Sequence, residues 1–222
     1  MAGDTVTADE FWKMVDASQS GELVASAIKL AQAQVLYSRA TTASRRATIL
    51  LGRNAGRKHD IETELHGRAR QLHIQNVGQS LARFADRLTA DQRKQIDEFL
   101  NKGGLKETAT AAKQLVTLDL LHSDLAPDEV RSAMKSLDET LANVEGLSSF
   151  KEVTTYLNRH LEELSTPRNL TSANQGLCVL ILILSSVFAV LVLIAALICI
   201  FSFGTACEGI LQKLLDQACS SG

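Results

Sequence analysis

Three evenly spaced histidines are candidates for metal binding or for sensing pH. His59, His66 and His73 recur every seven positions. On one helix they share a face but stand about 10 Å apart, whereas zinc ligands need bonds of about 2 Å to one ion. In an oligomer they would form stacked rings, or a seam that charges near the usual histidine pKa, so they are candidate pH-sensing residues. The alternative is three exposed polar side chains at a coincidental spacing.

Cysteines occur only near the C-terminal end of the chain. Residues 1–176 contain none, and the first of the four is Cys178. A domain without cysteine needs no disulfide, which is typical of a reducing compartment. Cys178 stands at the border of a long apolar run, which makes it a candidate for lipidation by S-palmitoylation. The alternative is that it packs as a small apolar side chain.

Cys207 and Cys219 form a candidate disulfide in the short tail that follows the apolar run. Twelve positions of straight helix would separate their Cα atoms by about 18 Å, whereas a disulfide requires less than about 7 Å. The tail is therefore either one helix or a loop closed by its own disulfide. An apolar stripe favours an amphipathic helix on the far face of a membrane. The stripe consists of Ile210, Leu211, Leu214, Leu215 and Ala218.

A further candidate site is a positively charged surface. Residues 23–59 contain no Asp or Glu. The candidate basic surface consists of Arg39, Arg45, Arg46, Arg53, Arg57 and Lys58. It would meet anionic lipid, where each basic residue contributes about 1 kcal/mol. The alternative is that it pairs with acidic residues further along the chain, namely Asp128, Glu129, Asp138, Glu139 and Glu145. No nucleic acid is expected as a partner, because the segment lacks interleaved aromatic residues for base stacking.

The sequence contains none of the common catalytic signatures. There is no HExxH, CxxC, P-loop, GxGxxG or GxSxG pattern, and the first 176 residues lack a cysteine nucleophile. No carboxylate stands in an apolar context that would tune its pKa. We therefore expect a protein that is not an enzyme, with no cofactor, no metal site and no small-molecule substrate.

The element that dominates the chain is an uncharged run at residues 177–203, called the apolar segment below. It contains no charged residue, no Pro and no Gly, and it raises the mean hydropathy of the whole chain to +0.04. As one helix it would be roughly 40 Å long, against about 30 Å for the hydrocarbon core of a bilayer. The length predicts a single transmembrane helix. The alternative is a buried core helix.

The remaining pattern is helical throughout. Residues 1–164 predict an all-α bundle of about six to seven helices, joined by a polar linker at 165–176 to the apolar segment and a short extracytoplasmic amphipathic tail at 204–222. Thr7 and Glu10 form a capping-box pattern that predicts a short first helix. Glycines at 52 and 56 predict a break, the glycine pair at 103–104 a helix end, and Pro127 a helix start.

These features together predict a tail-anchored, single-pass membrane protein. The N-terminus has no basic and apolar signal-peptide pattern, so the helical domain is expected to be cytosolic. Its expected role is interaction or self-assembly at a membrane, with the lipid bilayer and a second copy or another protein as partners. One alternative is an oligomeric pore-forming or membrane-disrupting effector that uses the apolar segment. Another is a precursor of a membrane-active C-terminal peptide.

Overall fold

The computed structural model describes residues 20–123, 125–165, 178–184, 187–202 and 207–220, with the backbone alone at 53–59, 179, 198–202 and 207–209. Every regular element in these residues is a helix, which confirms the predicted all-α fold. The helices are α1 (Gly21–Leu51), α2 (Arg53–Arg87), α3 (Ala90–Asn101), α4 (Gly104–Leu121), α5 (Pro127–Glu145), α6 (Phe150–Ser165), α7 (Cys178–Leu184), α8 (Val187–Ser202) and α9 (Cys207–Cys219). The predicted helix after Thr7 and most of the predicted linker lie outside the described residues.

Local signals set the ends of the middle helices. α3 begins with a capping box, in which the Gln92 backbone N–H donates to Thr89 Oγ1 at 3.2 Å and the Thr89 N–H donates to Gln92 Oε1 at 3.0 Å. Gly103 adopts the left-handed conformation (φ 86°) between α3 and α4. A Cβ on Gly104 would overlap the ring of Phe99, so the second glycine is needed for close packing. α5 begins at Pro127, as predicted.

α1 and α2 form a long helical hairpin of 31 and 35 residues. The break predicted at residues 52–56 is limited to Gly52, whose φ of 88° turns the chain, and α2 begins at the next residue. Buried side chains of α1 lie between Gly21 and Ala40, and those of α2 occur from Arg70 onwards. Among the described side chains, the buried ones of the hairpin are therefore confined to its base.

Amphipathic helices surround a continuous aliphatic core. Each carries one apolar stripe at helical spacing, for example Leu137, Leu141 and Val144 on α5 and Val153 and Leu157 on α6, all at most 3% exposed. A stripe of this kind must be covered by another apolar surface. The surface that covers these stripes is the apolar segment, because α8 packs against α1, α3, α4, α5, α6 and α9.

Within the apolar segment the structure describes two helical stretches, α7 and α8. None of the helices in the described part of the chain is both long enough and apolar enough to cross a membrane. The transmembrane part of the predicted fold therefore receives no support here. The predicted alternative, a buried core helix, describes the packing that is found.

Candidate functional site: an enclosed apolar segment

The apolar segment lies at the centre of the bundle. The side chains of residues 187–197 are at most 1% exposed, so no face of this part of α8 reaches water. α7 is enclosed as well, since Leu182 and Ile183 are at most 2% exposed. A helix that is apolar on all sides is stable only inside a large core or inside lipid. We therefore treat this segment, together with what encloses it, as the candidate functional site.

A disulfide ties the start of the apolar segment to the end of the chain. Cys178 at the start of α7 is bonded to Cys219 at the end of α9, with Cα atoms 5.5 Å apart. This corrects two predictions. Cys219 is not paired with Cys207, because α9 is one helix that holds these residues at opposite ends. Cys178 is not a free thiol for lipidation, because its sulfur is already in the disulfide.

The tail helix α9 covers the bundle instead of standing apart from it. The predicted apolar stripe is confirmed as one buried face, in which Leu211, Leu214 and Ala218 are fully enclosed. This face packs against α1, α4, α7 and α8. The prediction that it lies on the far face of a membrane does not describe this packing. Gln32 Nε2 on α1 donates to the backbone carbonyl of Gln217 at 2.8 Å. The end of α9 is thus fixed to α1 as well as to α7.

A buried arginine holds the helix that precedes the apolar segment. The Arg70 guanidinium donates to Gln34 Oε1 and to the Leu164 carbonyl near the end of α6, and it lies 5.0 Å from the centre of the Tyr37 ring. Gln34 Nε2 in turn donates to Ser38 Oγ at 3.1 Å. Burial lowers the pKa of Arg70, with a smaller opposing contribution from Tyr37.

Sequence reasoning missed Arg70, although a signal exists. It occupies the first position of the buried stripe of α2, which continues through Ile74, Val77, Leu81 and Phe84 at alternating spacings of four and three residues. A charged residue inside an apolar stripe needs hydrogen-bond partners from neighbouring helices. Here those partners come from α1 and α6, so Arg70 links three helices.

The candidate basic surface lies mainly on the outer part of the α1–α2 hairpin. Arg46 is exposed, Arg45 is half-buried, and Arg39 is half-buried with its Nε lacking a hydrogen-bond partner among the described atoms. Arg53, Arg57 and Lys58 lie in the first two turns of α2, where only the backbone is described. They join this surface by sequence position alone.

Acidic residues proposed as alternative partners for this surface are engaged elsewhere. Asp138 pairs with Lys113 at 2.8 Å, which joins α5 to α4. Glu139 lies 3.8 Å from Lys135, one turn away on the same helix. Asp128 pairs with Arg131 at the start of α5. These exposed pairs contribute little to stability, but they account for the acidic surface of α5 without the basic residues of the hairpin.

The three histidines differ in surroundings. His73 is half-buried between α1 and α2, and its Nδ1 is buried without a hydrogen-bond partner among the described atoms. Burial, and to a smaller extent the charge of Lys29, lowers the pKa of His73. His66 is half-buried, and the side chain of His59 lies outside the described ones. Of the two of these histidines whose side chains are described, the structure thus singles out His73, although both share the sevenfold spacing.

No cluster of three or more His, Cys, Asp or Glu side chains in the described residues could hold a metal ion. No family model matches the chain, and no curated protein or solved structure is significantly similar to it.

Proposed function

We propose that this protein is a membrane-inserting effector, which keeps its apolar segment inside a helical bundle and transfers it to a lipid bilayer. The observation that carries the proposal is the complete enclosure of an uncharged helix. Residues 177–203 contain no charged side chain, and residues 187–197 are at most 1% exposed. The segment thus meets the requirement for residence in lipid while it is covered by protein.

The bundle interior and the bilayer interior are energetically equivalent surroundings for this segment. Hydrophobic stabilisation depends on the apolar area removed from water and has no direction. Lipid tails are as apolar as leucine side chains, so α8 keeps its burial when it moves from protein to lipid. The free-energy difference between the closed bundle and the inserted form is then set by the covering helices. Their amphipathic faces suit the bilayer interface, where apolar stripes remain covered and charged faces remain in water.

In the inserted state, residues 177–203 would form one helix of roughly 40 Å, which exceeds the hydrocarbon core of about 30 Å. This is the single-pass anchor predicted from the sequence, so the tail-anchored arrangement with a cytosolic domain is part of the proposal as its membrane-bound form. Because the segment has no polar stripe, a water-filled pore would need several copies or the polar faces of the covering helices.

Dye release from lipid vesicles tests the proposal. The full-length protein is added to vesicles containing a self-quenched dye, over a series of protein-to-lipid ratios, before and after reduction with dithiothreitol. We expect release that rises with protein density and is faster after reduction. Absence both of release and of alkali-resistant association with the vesicles, at every ratio and in both redox states, would refute the proposal. Dye release at the same rate before and after reduction would support the function but exclude the disulfide as the restraint on insertion.

A second candidate function is that of a precursor for a membrane-active C-terminal peptide. It is favoured by the position of the disulfide, because both Cys178 and Cys219 lie after residue 177. Cleavage within residues 166–177 would release a peptide already closed by its own disulfide. Intact-mass measurement of the protein from its native membrane distinguishes the candidates, since a full-length mass of 24.1 kDa excludes the precursor.

A further inference from the structure

We propose that residues 41–69, called the hairpin tip, form a docking surface for anionic lipid that brings the closed protein to a bilayer. The proposal deepens the membrane-inserting function and rests on it for the role of docking in that function. Its test, however, measures binding alone. Three properties of the tip carry it, namely its projection, its exposed apolar corner and its charge.

The tip projects from the bundle. None of its described side chains is buried, whereas Ala40 on α1 and Arg70 on α2 are 7% and 6% exposed at the base. The eleven residues of α1 beyond Ala40 correspond to about 16 Å of helix. Among the described residues, the end of α6 approaches the lower part of the tip, where Ser165 lines a cavity with Asp60 and Glu64. A flat surface such as a bilayer can therefore contact the tip without contacting the bundle.

The end of the tip is an apolar corner. Ile49, Leu50 and Leu51 are consecutive, immediately precede Gly52, and are 81%, 77% and 76% exposed. Ile61 and Leu65 on the adjoining helix are also more than half exposed. Clustered exposed apolar side chains mark an interaction site, because isolated exposure is common but a continuous patch is not. The corner side chains fit the boundary between lipid headgroups and acyl chains.

The charge of the tip selects the partner. Residues 41–59 of the tip contain five basic and no acidic residues, and residues 60–69 add Arg68 and the acids Asp60, Glu62 and Glu64. Two of these acids are engaged locally, since Asp60 accepts a hydrogen bond from the Ser44 hydroxyl at 2.6 Å and Glu64 pairs with Arg68. A second copy of the tip would bring like charges together, which opposes association. Anionic headgroups supply the opposite charge beside an apolar layer, so lipid satisfies both halves of the surface.

Vesicle sedimentation with the disulfide-intact, full-length protein tests the docking surface. Vesicles contain phosphatidylcholine alone or phosphatidylcholine mixed with phosphatidylglycerol. We expect binding to the anionic vesicles only, weakened by salt. The variant R46Q/R53Q/R57Q should lose about fivefold in affinity per charge, on the order of a hundredfold in total. The matched control K94Q/K135Q/K151Q removes the same charge from α3, α5 and α6 and should bind like the wild type.

A second pair of variants tests the apolar corner. L50S/L51S should weaken binding to anionic vesicles at least tenfold, whereas L118S/L121S, which alters two exposed leucines on α4, should not. All four positions are exposed, so these variants are expected to fold. Equal losses in the tip and control variants would overturn the docking surface. It would also be overturned if the tip variants kept vesicle binding and lost self-association or binding to duplex DNA instead.

The two proposals fail separately. Tip-dependent binding to vesicles without dye release or alkali-resistant association under any condition would keep the docking surface as a lipid-binding site and refute the membrane-inserting function. Dye release that is equal for the wild type and the tip variants, with equal binding, would keep the function and refute the docking surface.

Discussion

Cys178 is bonded to Cys219, which lies 41 positions later in the chain, and the residues between them contain the whole of α8. The same end of α9 accepts a hydrogen bond at Gln217 from Gln32 of α1. The last helix of the chain is therefore attached both to the start of the apolar segment and to the long hairpin. Opening the bundle around α8 requires that α9 move, so this attachment is the natural restraint on the closed state.

Removing the disulfide should lower the free energy of unfolding by roughly 4 kcal/mol, the loop-closure value for a loop of this length. C178S, C219S and the double variant should lose the same amount, because each removes the same bond. Denaturant unfolding measures the loss, and vesicle dye release should accelerate in all three. A double variant that loses twice as much as either single variant would show that the cysteines act independently, contrary to this pairing.

Arg70 should be needed for the docking of α6. R70M leaves Gln34 Oε1 and the Leu164 carbonyl without their buried donor, which should cost about 2–3 kcal/mol of stability. The double variant R70M/Q34L should recover part of that loss, because Q34L removes Gln34 Oε1, one of the two unpaired buried acceptors. R68M, on an exposed position two residues earlier, is the control and should change stability by less than about 0.5 kcal/mol. Urea unfolding of the wild type, R70M, Q34L, R70M/Q34L and R68M decides, and additive losses from R70M and Q34L would contradict the network.

A cavity in the cover should increase membrane activity. L137A removes a fully buried side chain from α5 and should destabilise the bundle by about 2–5 kcal/mol, without altering the apolar segment itself. If the closed bundle restrains α8, the variant should release vesicle dye faster than the wild type while unfolding at lower denaturant. L118A, on an exposed position of α4, serves as the control for a lost leucine. Slower release from L137A would indicate that the closed bundle is itself the active form.

Helix positions were predictable because their determinants are local. Pro127 and the glycines at 103–104 act on the residues beside them, and the structure places helix ends at each. The stripe of α9 was predictable for the same reason. The break predicted at 52–56 was too long, because Gly52 alone supplies the left-handed turn and residue 53 already belongs to the next helix.

The position of the apolar segment was not predictable in this way. Hydropathy measures transfer out of water, and the core of a large bundle and the core of a bilayer are both apolar. Length and the absence of charge therefore could not separate a membrane span from a central helix. The pairing of Cys178 with Cys219 depends on α9 packing back against α7, a long-range contact that local spacing does not encode. Arg70 needed partners from two other helices, which only the packed bundle brings together.

Acid should loosen the closed state through His73. Its folded-state pKa lies below the usual 6.5 because of burial first and Lys29 second. As the pH falls through about 6.5, the unfolded chain takes up a proton that the folded protein resists, so the free energy of unfolding decreases until the pH passes below the folded-state value. H73Q should therefore lose less stability than the wild type between about pH 8 and pH 5, and K29M should be intermediate.

NMR titration of His73 with urea unfolding at each pH measures both effects. An unchanged pH dependence in H73Q would exclude His73 as the acid-sensitive group. If the dependence is reduced, dye release by the wild type should accelerate over the same pH range, because the closed bundle is what protonation destabilises.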